Sequence, residues 1–143
     1  MSFQRESDAL CRACAKGDIS AVREILSRRE SVIDKVGCID YEKNIFARPL
    51  YWAVIYNKPE VVKLLIEKRA EVDYQPEGYR KLTALMESIF HGYADISLLL
   101  ISAGADVNIV DERARSALDL AELYNKPIFE KIKKVRRKVT NNY

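Results

Sequence analysis

The stretch Arg48-Pro49-Leu50-Tyr51-Trp52-Ala53-Val54-Ile55-Tyr56-Asn57-Lys58-Pro59 ends in a tetrapeptide, Tyr56 to Pro59, that returns unchanged as Tyr124-Asn125-Lys126-Pro127. Each copy follows a leucine by six residues (Leu50, Leu118) and an alanine by three (Ala53, Ala121). A related copy lies between them at Leu85, Ser88 and Gly92, and a worn one upstream at Leu10, Ala13 and Gly17. The four leucines stand 40, 35 and 33 residues apart, so one unit length is kept and two carry additions of seven and two residues. A period of about 20–50 residues signals stacked supersecondary units, none of which buries its apolar face alone.

One unit can be read from its chemistry. Pro49 suits the first turn of a helix, where its missing N–H removes no intrahelical bond. Asn57 suits the helix stop, because asparagine tolerates the left-handed conformation better than most residues with a Cβ. Pro59 opens a second helix, and Val61, Val62, Leu64, Leu65 and Ile66 give it a broad apolar stripe, which predicts an outer layer. The third unit repeats the pattern from Thr83 to Gly92, followed by Ile96 and Leu98 to Ile101. In the fourth, Ser116-Ala117-Leu118-Asp119 has the form in which a serine hydroxyl and an acidic side chain each satisfy an orphan helix N–H. A short polar stretch follows each outer helix, at Lys68 to Asp73 and at Ser102 to Asn108.

Leucine, a small residue three further on, glycine or asparagine at the turn, an aliphatic run and then Gly104-Ala105-Asp106-Val107-Asn108 together resemble the ankyrin repeat. The resemblance runs from Ser7 to Val135. It implies an all-α fold: a solenoid of stacked helix-turn-helix units joined by β-hairpin-like fingers. A single domain over 1–143 is expected, with units near 7–39, 40–74, 75–109 and 110–139, the last a basic C-terminal cap. The family's Thr-Pro-Leu-His signature is intact nowhere, so ordinary stability is expected. Arg69 stands where the family has a left-handed glycine, and Arg69→Gly is predicted to stabilise.

The seven-residue addition falls in one finger. Val36, Cys38 and Ile39, then Ile45 and Phe46, flank Asp40 to Asn44, which predicts an extended hairpin with its tip near Lys43. The second addition lies in Tyr74 to Tyr79, where Pro76 and Gly78 fit a tight turn. Enlarged fingers are natural places for partner contact, although lengthening a loop costs little in itself.

In such a stack the first helix of each unit lines a concave surface. Its solvent side is expected to carry Trp52, Ile55 and Tyr56, then Glu87, Phe90 and His91, then Leu120, Leu123 and Tyr124, with Arg12, Ala15 and Lys16 in the first unit. Rigid aromatics of this kind dominate interface energetics. The candidate partner-binding residues are therefore Trp52, Tyr56, Phe90, His91 and Tyr124 in the groove, with Tyr41, Lys43, Asn44, Tyr79, Arg80 and Arg113 on the fingers. The competing reading places several of these side chains in the core.

Composition excludes most other functions. His91 is the only histidine, which leaves no base, nucleophile and orienting group for acyl transfer. Cys11, Cys14 and Cys38 are fewer than the four ligands of a structural zinc site, and the glycines form no phosphate-cradling loop. No enzyme, cofactor or metal is expected. The three cysteines suit a reducing cytoplasm, with the nucleus or delivery into a host cell left open. Membrane insertion is not expected, since no run approaches the ~20 apolar residues a span requires.

The total charge of +3 is uneven: Lys126 to the end carries seven cations against Glu130, a balance of +6, leaving −3 for the first 125 residues. Ile128, Ile132, Val135 and Val139 recur at helical steps, which predicts a helix that packs by one face while its cations stay wet. A terminal repeat requires such a polar outer face. The expected role is a non-catalytic module, monomeric, that binds a protein or peptide partner. The alternatives are nucleic-acid or acidic-surface binding through the basic helix, with nucleic acid the weaker case, and a bacterial or viral effector acting on a host protein.

Overall fold

The computed structural model describes residues 2–35, 37, 39–40, 45–76 and 80–140. Four helix pairs follow one another: α1 (Phe3–Lys16) and α2 (Ile19–Arg28), α3 (Pro49–Ile55) and α4 (Pro59–Glu67), α5 (Ala84–Phe90) and α6 (Ala94–Ser102), α7 (Ala117–Tyr124) and α8 (Lys126–Thr140). The first members stack as an inner row and the second members as an outer row. These are the stacked units that the period of the leucines predicts and the solenoid that the resemblance to ankyrin repeats implies, although α1 begins at Phe3, upstream of Ser7.

The repeated residues form the seams. Leu10, Leu50 and Leu85 are buried, as are the small residues Ala13, Ala53, Ser88 and Ala121 that let neighbouring inner helices approach. Leu118, in the last unit, is only half-buried. Ser88 also joins its inner helix to the outer helix of the same unit: its hydroxyl donates to the Leu85 carbonyl at 2.7 Å and lies 2.7 Å from the Ser97 hydroxyl, so both buried oxygens are satisfied.

Helix ends follow the local chemistry. Pro49 and Pro59 occupy first turns, Thr83 accepts from the Met86 N–H, and Ser116 with Asp119 closes a reciprocal capping box. The inner helices stop at left-handed Gly17, Asn57 and Gly92, with φ of 74°, 54° and 75°. The second copy of the tetrapeptide behaves otherwise. Asn125 is extended, with φ −152°, because α7 runs on through Tyr124 and the asparagine side chain accepts from the Ile128 N–H at 3.2 Å, capping α8 instead.

A chain of aspartates ties unit to unit. The Glu71 N–H donates to Asp34 Oδ1 at 2.9 Å and the Asp106 N–H to Asp73 Oδ1 at 2.8 Å. Arg48 pairs with Glu71 and lays its guanidinium 3.9 Å from the centre of the Tyr74 ring. In the first finger, β1 (Ile39–Asp40) pairs antiparallel with β2 (Ile45–Phe46), Ile39 opposite Phe46, as the flanking apolar residues predict. The expected tip, Tyr41 to Asn44, lies outside the described residues, as does Tyr79. Among the described residues no helix is long and apolar enough to cross a membrane.

Candidate interaction surface

The inner helices present two depths of side chain. Trp52, expected on the groove, is buried at 3% exposure, and its indole N–H donates to the Ala47 carbonyl at 3.0 Å. Glu87 and Leu120, two residues after their own leucines, are buried as well, and so is Ile55. Trp52, Ile55 and Glu87 lie on α3 and α5, each of which has an inner helix packed on both sides. Arg12, at the free end of the stack, is exposed.

What faces solvent lies at the helix ends. Tyr56 is 38%, Tyr124 53% and Leu123 66% exposed, His91 is exposed and Phe90 half-buried. Tyr56 stacks on the buried Trp52 at 6.1 Å between ring centres, and Phe90 meets Tyr124 edge-on at 5.4 Å. These rings are held by neighbours, so little rotamer freedom remains to be lost on binding.

Beneath the aromatics runs a polar link invisible to the sequence reading. The Tyr51 hydroxyl donates to Glu87 Oε2 at 3.0 Å, while Glu87 Oε1 lies 2.8 Å from His91 Nε2. Burial first, and then the charge and hydrogen bond of Glu87, push the Tyr51 phenol far up, so it remains a neutral donor. The His91 ring stacks on Tyr93 at 5.4 Å.

Arg80, Phe90, Asp111, Glu112, Arg113, Arg115 and Tyr124 line a hollow of about 100 Å³ between two fingers and the inner helices. The Arg80 guanidinium sits 5.3 Å from the Phe90 ring centre, and the Arg80 carbonyl accepts from the Glu112 N–H at 3.2 Å, which joins the fingers. Asp111 organises the tip. Its carboxylate accepts from the N–H groups of Arg113 and Arg115, each at 2.9 Å, and from the Arg115 guanidinium at 2.8 Å and 3.0 Å. Burial alone would raise its pKa, but the Arg115 and Arg113 hydrogen bonds and the Arg115 charge outweigh burial and hold it below the usual carboxylate range. Arg113 is thus set on a braced tip, exposed. The i, i+4 spacing of Asp111 and Arg115, with aspartate's habit of bonding its own turn, is the signal that could have marked this clamp.

The basic tail forms α8. Ile128 and Ile132 are buried and Val135 half-buried, while Lys131, Lys134, Arg136, Arg137 and Lys138 are exposed. Cys11 and Cys14 are both buried in α1, where burial and then the neighbouring Cys11 push the Cys14 thiol well up, a trait of inert packed cysteine. Cys38 lies outside the described residues.

A family model for ankyrin repeats, in three copies, matches residues 10–111. Ankyrin repeat and SAM domain-containing protein 6 of Mus musculus is 36% identical over 87 residues, 61% of this chain and 10% of that protein. Palmitoyltransferase AKR1 of Lachancea kluyveri is 34% identical over 109 residues, 76% of this chain and 14% of that protein. A putative ankyrin repeat protein of Acanthamoeba polyphaga mimivirus is 36% identical over 69 residues, 48% of this chain and 41% of that protein. The chain thus spans about a tenth of the length of the mouse relative.

Proposed function

We infer, since this chain belongs to the ankyrin-repeat family, that it is a non-catalytic protein-binding module whose inner face takes a protein or peptide partner. Ankyrin repeats in general mediate protein–protein contact. The observation that carries the finer reading is the row of exposed side chains Tyr56, His91, Leu123 and Tyr124, its three rings held by ring contacts, beside the braced cations Arg80 and Arg113. Preorganised aromatics bury apolar area at low ordering cost, and the charged finger tips add orientation. The test is capture of partners by the immobilised chain, wild type against Leu123→Ser/Tyr124→Ala. Loss of specific partners with unchanged circular dichroism supports the inner face, and an identical set of partners refutes it.

The exposed row Lys131, Lys134 and Lys138 on α8 favours a second reading, contact with a polyanion. Phosphate contacts release counterions, so affinity for duplex DNA would fall steeply with salt. Absence of binding at low salt disposes of that reading.

A further inference from the structure

Five residues of the finger before α7, Asp111-Glu112-Arg113-Ala114-Arg115, close on themselves. The Asp111 N–H donates to the Arg115 carbonyl at 2.9 Å and the Ala114 N–H to the Asp111 carbonyl at 3.0 Å, with Ala114 left-handed at φ 58°. The Asp111 carboxylate faces the Arg115 guanidinium, so these two charges offset each other. Arg113 is displayed instead: its side chain is exposed and, among the described residues, makes no ion pair. Arg80, on the preceding finger, lines the same hollow, with its guanidinium 5.3 Å from the centre of the Phe90 ring. Phe90 and Tyr124, edge to face, supply the apolar part of the lining.

Size and charge define what fits this hollow. Its volume of about 100 Å³ is below the roughly 300–1,000 Å³ of pockets that hold small molecules, which leaves room for one side-chain tip. Three arginines stand against Asp111 and Glu112, so the lining carries a single positive charge. A cationic side chain would be repelled, and a dianion would keep one charge uncompensated beside Glu112. A carboxylate matches. The chain already shows an arginine held over a ring with a carboxylate as its partner, because Arg48 lies 3.9 Å from the centre of the Tyr74 ring and pairs with Glu71. Arginine suits this work, since its planar fork bonds a carboxylate while its face stays on an aromatic ring.

We propose that the hollow seats one aspartate or glutamate side chain of the partner, gripped by Arg113 and Arg80, with an apolar or aromatic neighbour of that residue lying on Tyr124. The proposal rests on the inner face being the site of a protein or peptide partner, and it adds the chemistry of one position in that ligand. The preference is for a single acidic residue and not for an acidic stretch, because Glu112 shares the lining.

The test starts from a phage-displayed library of random peptides selected on the immobilised full chain. Enriched sequences should carry Asp or Glu at one fixed position beside an apolar or aromatic residue. The strongest binder, and its counterpart with that acid replaced by the amide, are then titrated by calorimetry into wild type, Arg113→Gln and Lys63→Gln. Low ionic strength is used, where an exposed ion pair is least screened. Lys63 is exposed on the outer helix α4, so its variant loses the same charge away from the inner face. Loss of the peptide carboxylate and Arg113→Gln should each weaken binding about fivefold, and together little more than either alone, the signature of one shared contact. Lys63→Gln should bind like wild type, and an equal loss there assigns the effect to net charge and overturns the seat. Enriched peptides without a fixed acidic residue, or an acid whose removal costs the same in Arg113→Gln as in wild type, overturn the seat and leave the inner face standing. Tighter binding with phosphoserine at that position does the same, because it makes the hollow a site for a dianion. Peptides unaffected by Arg113→Gln and by Leu123→Ser/Tyr124→Ala alike overturn both readings, as does a selection that enriches no peptide.

Discussion

The hydroxyl of Tyr51 reaches across the seam between two inner helices and donates to Glu87 at 3.0 Å, making one buried carboxylate a shared member of the second and third units. The other Glu87 oxygen lies 2.8 Å from His91 Nε2, so the groove histidine is positioned by a residue of the core.

Tyr51→Phe keeps the ring and removes the donor, leaving a nearly buried carboxylate oxygen short of a partner. A loss of about 1–3 kcal/mol in unfolding free energy is expected, the cost of an unsatisfied buried acceptor. Chemical denaturation measures it, and an unchanged midpoint would show that water replaces the phenol freely.

Arg69 sits at φ 64°, the conformation that the sequence assigned to it, and its side chain is exposed. The left-handed region costs a residue with a Cβ on the order of 1 kcal/mol more than glycine. Arg69→Gly is therefore expected to raise Tm by a few degrees. A lower Tm means that contacts of the arginine stem outweigh the backbone term.

Asp111 makes the finger tip sensitive to acid. Its folded pKa lies below the unfolded value of about 3.9, so the stability it contributes is fully present above that value and declines as pH falls through the folded pKa. Asp111→Asn keeps one acceptor oxygen but loses the charge facing Arg115. The variant should be less stable than wild type near neutrality by about 1–3 kcal/mol, and the gap should close below about pH 4. A gap that does not narrow as pH falls below about 4 would assign the defect to shape rather than charge.

Much of the architecture was written in short-range chemistry. Pro49, Pro59, Asn57, Arg69 and the pair Ser116–Asp119 each act through their own turn, and the structure places all five as their local preferences require. The two Tyr-Asn-Lys-Pro copies show the limit of such reasoning, because identical residues give a left-handed stop at Asn57 and an extended cap at Asn125. The choice is made by the helices on either side. Side-chain depth was harder to read. Position within a helix gives direction, but whether Trp52 meets solvent depends on a neighbouring unit and on the backbone at Ala47. The sequence reading puts Glu87 on the groove for the same reason, since its partner Tyr51 becomes a neighbour only after folding, whereas the Asp111 clamp is made within its own turn and could have been read locally.

Trp52 now carries the opposite prediction from the one its aromatic character suggests. An exposed groove tryptophan would be removed at little cost to the fold, with binding alone affected. This indole is 3% exposed, stacks on Tyr56 and satisfies the Ala47 carbonyl. Trp52→Ala removes a large buried ring and leaves a cavity with a lost donor, which is expected to cost about 3–5 kcal/mol, a large part of a small domain's stability. Circular dichroism should show a lower Tm, and Tyr56 should lose the surface that orients it, so binding falls as a consequence of folding. Tyr124→Ala should weaken capture without that thermal shift, because Tyr124 is half exposed and sits on the open side of α7. If Trp52→Ala melts like wild type, the indole does not hold the second unit together and the depth assigned to it is wrong.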